Sequence, residues 1–334
     1  MNILVTGGTG FTGAALAMRL SGLGHNVTSV DYKKGICSGE LEEKGVKLIT
    51  GSITDAALVE NAMRGIEFVF HLAAAFRELD VSNEYYYDVN VEGTRVVIES
   101  AFRHGAKKFV YCSTQGVHGH IANPPGDESS PITPEDYYQE TKYGGELIVQ
   151  EYIKKGMNAT IMRPTAIYGP GDPGRFLMIY KWAKKGFFPM FGNGRTFYHP
   201  VYIDNLVDAF IIALELEKGK GGTYIIGDEE YLPIEDLVVK TGKALGITIK
   251  VVHLPLLPLV VAGHVCEKAC KPFRIPPPIF PRRVDWYRQV RAFNIDKAKQ
   301  ELGYRPKVGI DEGLRRTAEW YKQKGYLDKG KRAN

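Results

Sequence analysis

Residues 2–13 read Asn-Ile-Leu-Val-Thr-Gly-Gly-Thr-Gly-Phe-Thr-Gly, a short apolar run that passes without a spacer into a cluster of glycines. Gly8, Gly10 and Gly13 satisfy the G-x-G-x-x-G spacing, and the residues from Phe11 to Leu23 read as a helix. A bare match of this kind is weak evidence. Its context is the one the chemistry demands. Residues without Cβ atoms let a pyrophosphate approach a helix N-terminus, where free N–H groups and the helix dipole favour negative charge. The stretch predicts a dinucleotide site, with Gly7, Gly10, Phe11, Thr12 and Gly13 around the pyrophosphate. Asp31 ends the second strand-like run, where a carboxylate accepts from both adenosine ribose hydroxyls and repels an added phosphate. NAD is therefore expected over NADP, with Lys33 and Lys34 close enough to soften the preference.

Working outward, apolar strand-like runs at 2–6, 26–30, 46–50, 67–71, 107–113 and 158–163 alternate with helical stretches at 11–23, 55–64, 84–104 and 134–155. A further helix at 205–217 and a strand at 223–226 follow. This rhythm predicts an α/β fold, a Rossmann-type doubly wound parallel sheet covered on both faces. For the helix at 134–155, Thr133 is expected to cap, Pro134 to open and Gly156 to stop it. Beyond Thr165 the alternation fails and Pro and Gly become frequent. The expected organisation is a nucleotide-binding domain over 1–164, completed by about 200–226, and a smaller substrate-binding region over 165–199 and 227–334.

With 334 residues and 44% hydrophobic content, the chain can bury a full core. The net charge of +5 is uneven, since the chain from Cys266 onward holds 18 Lys and Arg against 8 Asp and Glu. No nucleic-acid-binding module accompanies that basic tail. A strand starting directly after Met1 leaves no room for a signal peptide, so a cytoplasmic protein is expected. Cys37, Cys112, Cys266 and Cys270 are too few and scattered for a disulfide framework and are expected reduced. Cys266 and Cys270 have no partner pair at ligand spacing, so no metal is expected. The apolar run 253–266 contains Pro255 and Pro258, is too short to span a membrane, and reads as core or pocket packing. Beside Lys268, Lys271 and Arg274, its alternative reading is a shallow peripheral membrane contact.

Tyr138 and Lys142 lie one helical turn apart on one face. An ammonium beside a phenol stabilises phenolate and makes the tyrosine a usable acid or base. Lys142 can also donate to a cofactor ribose. Thr114, at the end of the fifth strand, is placed to bond a substrate oxygen. Together with Thr6-Gly7-Gly8-Thr9-Gly10-Phe11-Thr12-Gly13, His71-Leu72-Ala73-Ala74, Asn90-Val91-Glu92-Gly93-Thr94, Arg163-Pro164, Tyr168-Gly169-Pro170 and Leu302-Gly303-Tyr304, these residues make the chain resemble the extended short-chain dehydrogenase/reductase family. That family includes nucleotide-sugar epimerases and dehydratases and the 3β-hydroxysteroid dehydrogenases.

The resemblance implies NAD as cofactor, with Thr114, Tyr138 and Lys142 catalytic. It implies further cofactor contacts at Leu72, Ala73, Ala74, Asn90, Ser113 and Pro164, and at Ser52 and Ile53, where the family often has an adenine-binding Asp. Ala75, Gln115 and His118 become candidates for the substrate side. It also implies a homodimer formed through the helices at 84–104 and 134–155. Two positions depart from the nucleotide-sugar pattern. Ala166 stands where an amide is usual, and Tyr198 where an arginine is usual, leaving Arg195, Arg282 or Arg283 to supply charge to a diphosphate. The expected activity is an NAD-dependent dehydrogenase acting on a secondary alcohol or ketone of a bulky, partly apolar small molecule. The alternatives are a nucleotide-sugar 4-epimerase or dehydratase, and an idle dinucleotide-responsive binding protein.

Overall fold

The computed structural model of the chain describes residues 1–76, 81–172, 174–215, 221–270 and 284–328. Seven strands form one parallel sheet: β1 (Asn2–Thr6), β2 (Asn26–Asp31), β3 (Lys47–Thr50), β4 (Phe68–His71), β5 (Lys108–Cys112), β6 (Ala159–Pro164) and β7 (Thr223–Ile226), in the order β3-β2-β1-β4-β5-β6-β7. β1 pairs with β2 on one side and β4 on the other. Strand order therefore reverses between β1 and β4, and in a sheet of this kind the crevice beyond the strand ends at that reversal is where ligands bind.

The side chains of β1 show how the sheet is covered. Ile3 and Val5 join the core on one face, with Leu16 and Leu20 of α1 (Phe11–Gly22) and Leu206 and Phe210 of the helix Ile203–Glu215. Leu4 joins the core on the other, with Val97 and Ile98 of Gly93–Arg103 and Ile148 and Val149 of Tyr137–Lys154. Alternation of side chains along a strand requires both faces to be apolar once helices cover both.

Three elements differ from the expectation. The helix 134–155 starts later, at Tyr137, because Asp136 caps it by accepting from the Gln139 N–H at 2.9 Å. Thr133 is occupied elsewhere, its hydroxyl donating to the His118 carbonyl at 2.6 Å. The helix expected over 84–104 is three pieces: Asn83–Tyr87, a widened π turn Asp88–Glu92, and Gly93–Arg103. Such turns occur often at functional sites. The run 253–266 is not core. It ends the strand Lys250–Leu254 and forms most of the helix Leu256–Cys270, in which Leu257, Val261 and Val265 are 73%, 54% and 61% exposed. Pro258 falls in the first turn, where a missing N–H costs little. Cys266 and Cys270 share a face of this helix, with their sulfurs 4.0 Å apart.

Beyond Pro164 the strands other than β7 are short and paired in twos. Ala166–Tyr168 lies with Pro200–Tyr202, Phe197–Tyr198 with Leu232–Pro233, and Phe187–Phe191 with Lys250–Leu254. Isolated bridges join Tyr198 to Arg291 and Gly126 to Phe293. Side chains of these late segments, among them Phe188, Tyr198, Val201 and Phe293, share one core with Ile3 and Val5 of β1.

Candidate active site

A cleft of about 340 Å³ opens where the β1 and β4 ends meet the late segments. Gly7, Gly10, Phe11, Thr12, Gly13, Leu72, Ala74, Ser113, Thr114, Gln115, Tyr138, Lys142, Pro164, Ala166 and Tyr198, all singled out from sequence, line it. The glycines are there for space. Gly7 has φ of +69°, and a Cβ on it would meet the Ala73 N at 2.7 Å. A Cβ on Gly13 would overlap the Gly7 carbonyl, so this residue lets α1 close onto the turn. The helix begins with Gly10 as cap, no capping side chain and no acidic residue in its first turn. First-turn N–H groups have no intrahelical acceptor, so this end can receive a phosphate. Asp31 stands beside the turn rather than in the cleft lining, and its Oδ2 accepts from the Thr9 N–H at 3.1 Å and the Thr9 hydroxyl at 2.8 Å.

Tyr138 lies in the first turn of its helix, with the Phe76 ring 4.8 Å from its own. Lys142 is 1% exposed, and its ammonium sits 4.2 Å from the centroid of the Tyr111 ring. Burial pulls it down to about 8, while Cys112 and Glu146 pull the other way. Burial pushes the Cys112 thiol up to about 11, and the nearby Lys142 charge offsets part of that. Thr114 accepts from the Gly116 N–H at 3.0 Å, which leaves its own proton for an acceptor in the cleft.

Several predicted contacts do not reach the cleft. Asn90 is wholly buried in the widened turn. Its Oδ1 accepts from the Ala75 N–H at 2.8 Å, and its Nδ2 donates to the Ala75 carbonyl and to Thr141 Oγ1. It fixes the loop after β4 to the Tyr138 helix, and it holds Ala75 out of the lining too. Ser52 closes a turn onto Thr54, Ile53 is buried in the core, and Ala73 offers its N–H to Thr6 Oγ1. His118 stands outside the lining with both ring nitrogens engaged: its Nδ1 lies 3.0 Å from the Ser130 carbonyl, and its Nε2 accepts from Arg163 at 2.9 Å. Arg163 also forks onto Glu146, Nε to Oε1 at 2.9 Å and Nη2 to Oε2 at 2.6 Å, all of it buried. Burial, then the Arg163 charge, lowers the His118 imidazole. Arg195 is exposed away from the cleft, and Arg282 and Arg283 lie outside the described residues.

The sequence missed Phe76, Cys112, Gln139, Thr165, Ile167, Asp172, Phe176, Trp286 and Arg291, which also line the cleft. The late ones belong to no motif. The one sequence signal was a tryptophan and an arginine shortly after a Pro-rich stretch. Beneath the lining runs a buried relay. His71 sits between Thr6 Oγ1 at 2.6 Å and Thr94 Oγ1 at 2.9 Å, and Thr94 donates to the Asn90 carbonyl at 2.7 Å. Thr94 therefore accepts from His71 Nε2–H, and Nδ1 accepts from Thr6. Burial and the Lys142 charge push His71 down to about 3, which keeps it neutral in this arrangement.

A reversed parallel sheet, a glycine turn opening a helix, and a Tyr-Lys-Thr set in one cleft define a dinucleotide-dependent oxidoreductase of the short-chain dehydrogenase/reductase type. The chain belongs to the NAD dependent epimerase/dehydratase family, whose model matches residues 3–227. It is 31% identical to the 2-alkyl-3-oxoalkanoate reductase of Stenotrophomonas maltophilia, covering 95% of this chain and 98% of that one. It is 28% identical to 3beta-hydroxysteroid-dehydrogenase/decarboxylase isoform 1 of Arabidopsis thaliana, covering 95% and 78%. Among solved structures, the UDP-glucose 4-epimerase of Thermotoga maritima superposes with a TM-score of 0.79 at 26% identity, covering 97% of this chain and 99% of that one.

Proposed function

We propose that the protein is an NAD-dependent dehydrogenase that interconverts a secondary alcohol and a ketone on a bulky, largely apolar substrate. The observation that carries this reading is the composition of the cleft beyond the glycine turn, where Phe76, Ala166, Ile167, Phe176, Tyr198 and Trp286 present apolar and aromatic surface. Such a wall gains free energy by covering an apolar body. Two relatives named for oxo- or hydroxy-group chemistry on lipid-like molecules point the same way.

The glycine turn, free of side chains at Gly7, Gly10 and Gly13, fits a pyrophosphate, and Asp31 favours NAD over its 2′-phosphorylated form. When bound, NAD supplies the redox chemistry. Thr114 orients the substrate oxygen by donating to it. Tyr138 takes the proton from that oxygen in the oxidative direction and returns it in the reductive one. The Lys142 ammonium, one helical turn on, favours the phenolate. Asn90 and Glu146 act through others, by fixing the loop after β4 and the Tyr138 helix.

Residues 1–164 with about 200–226 hold the cofactor on this reading, and 165–199 with 227–334 hold the substrate. The enzyme works in the cytoplasm as a homodimer through the helices Gly93–Arg103 and Tyr137–Lys154, where Phe102 and Leu147 are exposed. Among the described residues no helix is long and apolar enough to cross a membrane. The exposed stripe Leu257, Val261 and Val265 beside Lys268 supports a shallow membrane contact instead, and failure to sediment with anionic liposomes at low salt removes it. The whole reading is tested by following NADH absorbance and sugar stereochemistry while NAD and protein meet a panel of hydroxysteroids, 2-alkyl-3-hydroxyalkanoic acids and UDP-sugars. Net NADH from the apolar alcohols is expected. Epimerisation of a UDP-sugar without net NADH replaces this reading with the epimerase one.

A further inference from the structure

One guanidinium, that of Arg291, stands among the aromatic side chains of the cleft in the described residues. Its position is set from two directions. The Arg291 N–H donates to the Phe197 carbonyl at 3.0 Å, which seats it beside Tyr198, and Nη2 donates to the side-chain oxygen of Gln289. Gln289 is 7% exposed, so the amide that aims the guanidinium is itself fixed in the wall. Thr165, 6% exposed, lines the same cleft with a hydroxyl that has no hydrogen-bond partner among the described residues. Buried polar atoms of this kind are normally satisfied, and here the cleft is where a partner would come from.

The charge of the lining restricts what that partner is. Asp172, 7% exposed, also lines the cleft, with Oδ1 accepting from the Gly174 N–H at 2.7 Å and the Tyr321 hydroxyl 3.4 Å from Oδ2. Among the described residues, a diphosphate would bring several negative charges to a lining that holds one guanidinium and one carboxylate, with the Lys142 ammonium at the cofactor end. A single carboxylate matches the planar fork of an arginine one for one. We propose that the substrate carries a carboxylate on its apolar body, read by Arg291 with Gln289 as the positioning residue and Thr165 as a second polar contact. This deepens, and rests on, the dehydrogenase reading.

The test compares a 2-alkyl-3-hydroxyalkanoic acid with its methyl ester as NADH-forming substrates. It also compares decanoate with decan-1-ol as ligands, read by tryptophan fluorescence. The acid is expected to exceed the ester in kcat/KM by at least about tenfold, the scale of one charge-assisted hydrogen-bonded pair. Arg291→Met should collapse that ratio to near one, chiefly through KM for the acid. Gln289→Leu should reduce it less, and Arg291→Lys should recover part of it. Decanoate should bind more tightly than decan-1-ol to the native protein and lose that advantage in Arg291→Met. Equal use of acid and ester by a working dehydrogenase overturns the carboxylate and leaves the dehydrogenase standing. Arg291-dependent decanoate binding with no NADH from any alcohol does the reverse. Binding of UDP below roughly 10 μM that is lost in Arg291→Met overturns the proposal in favour of a diphosphate.

Discussion

The glycine turn and the aromatic wall belong to one cleft but are made of different material. The turn is backbone: Gly7, Gly10 and Gly13 matter for what they lack, and all three fall within one strand-turn-helix unit. The wall is side chains: Phe76, Phe176, Tyr198, Trp286 and Arg291 come from segments far apart in the chain. A backbone site tolerates little change, because the ligand approaches atoms common to all residues. A side-chain site can be rebuilt by substitution without touching the fold. The same sheet can thus keep one cofactor while its relatives differ in the substrates their names record.

Tyr138, at the border between the two parts, offers the largest test. Tyr138→Phe should lower kcat by on the order of 10² to 10⁴ for every substrate while leaving NAD binding and the circular dichroism spectrum intact. A near-native rate would mean that the proton is carried by another group, and that the border is not where the chemistry lies. Beneath both parts, Glu146 on the Tyr138 helix forks onto Arg163 of β6. Glu146→Gln leaves a buried guanidinium without its counter-charge and should destabilise the protein by about 3–5 kcal/mol in denaturant titration. Native-like unfolding would show that the two parts do not depend on that pair.

On the cofactor side alone, Asp31→Ala should narrow the preference for NAD over NADP by about 1–2 kcal/mol, measured as the ratio of the two dissociation constants. The ratio is the useful readout, since losing the bonds to Thr9 also loosens the turn for both nucleotides. An unchanged ratio would place nucleotide selection elsewhere.

A further effect is on pH. Burial holds His71 at about 3 and His199 at about 4, below the ordinary imidazole value. As pH falls from the ordinary value toward those numbers, the unfolded chain takes up protons that the folded chain refuses, and stability is lost. His118, also lowered, acts in the same direction. Asp228 opposes them, because burial pushes it up to about 7, so the folded chain gains a proton first and is relatively stabilised on the way down. The imidazoles outnumber the carboxyl, and the melting temperature should fall between pH 6.5 and pH 4, by about 1.4 kcal/mol of stability per pH unit for each net proton. Asp228→Asn should steepen the fall, as seen by calorimetry. A flat or rising curve would contradict the burial of the relay behind the cleft.

Much of the cofactor part was legible because its cues are local. A strand end, three spaced glycines and a helix start specify one another within a few residues, and Tyr138 and Lys142 share a face by helical geometry alone. Even there, local reading did not foresee that Asn90, Ser52, Ile53 and Ala75 stand outside the cleft lining. Whether a side chain faces the ligand or braces a neighbour depends on the element opposite. Asn90 meets the Ala75 peptide and Thr141 in a turn whose widening no spacing rule foretold.

What the sequence by itself determined is the α/β alternation of a parallel sheet, the dinucleotide turn and the Tyr138–Lys142 pair, because each follows from periodicity or from contacts a few residues apart, while Thr114 joined the set through the family resemblance. What only the tertiary structure decided is the substrate wall. It placed Arg291 beside Tyr198 through a bridge across distant segments, turned His118 inward onto Arg163, and left the apolar helix Leu256–Cys270 on the surface. Contacts between segments so far apart are fixed by how whole elements pack, and a local pattern of residue types carries no record of that.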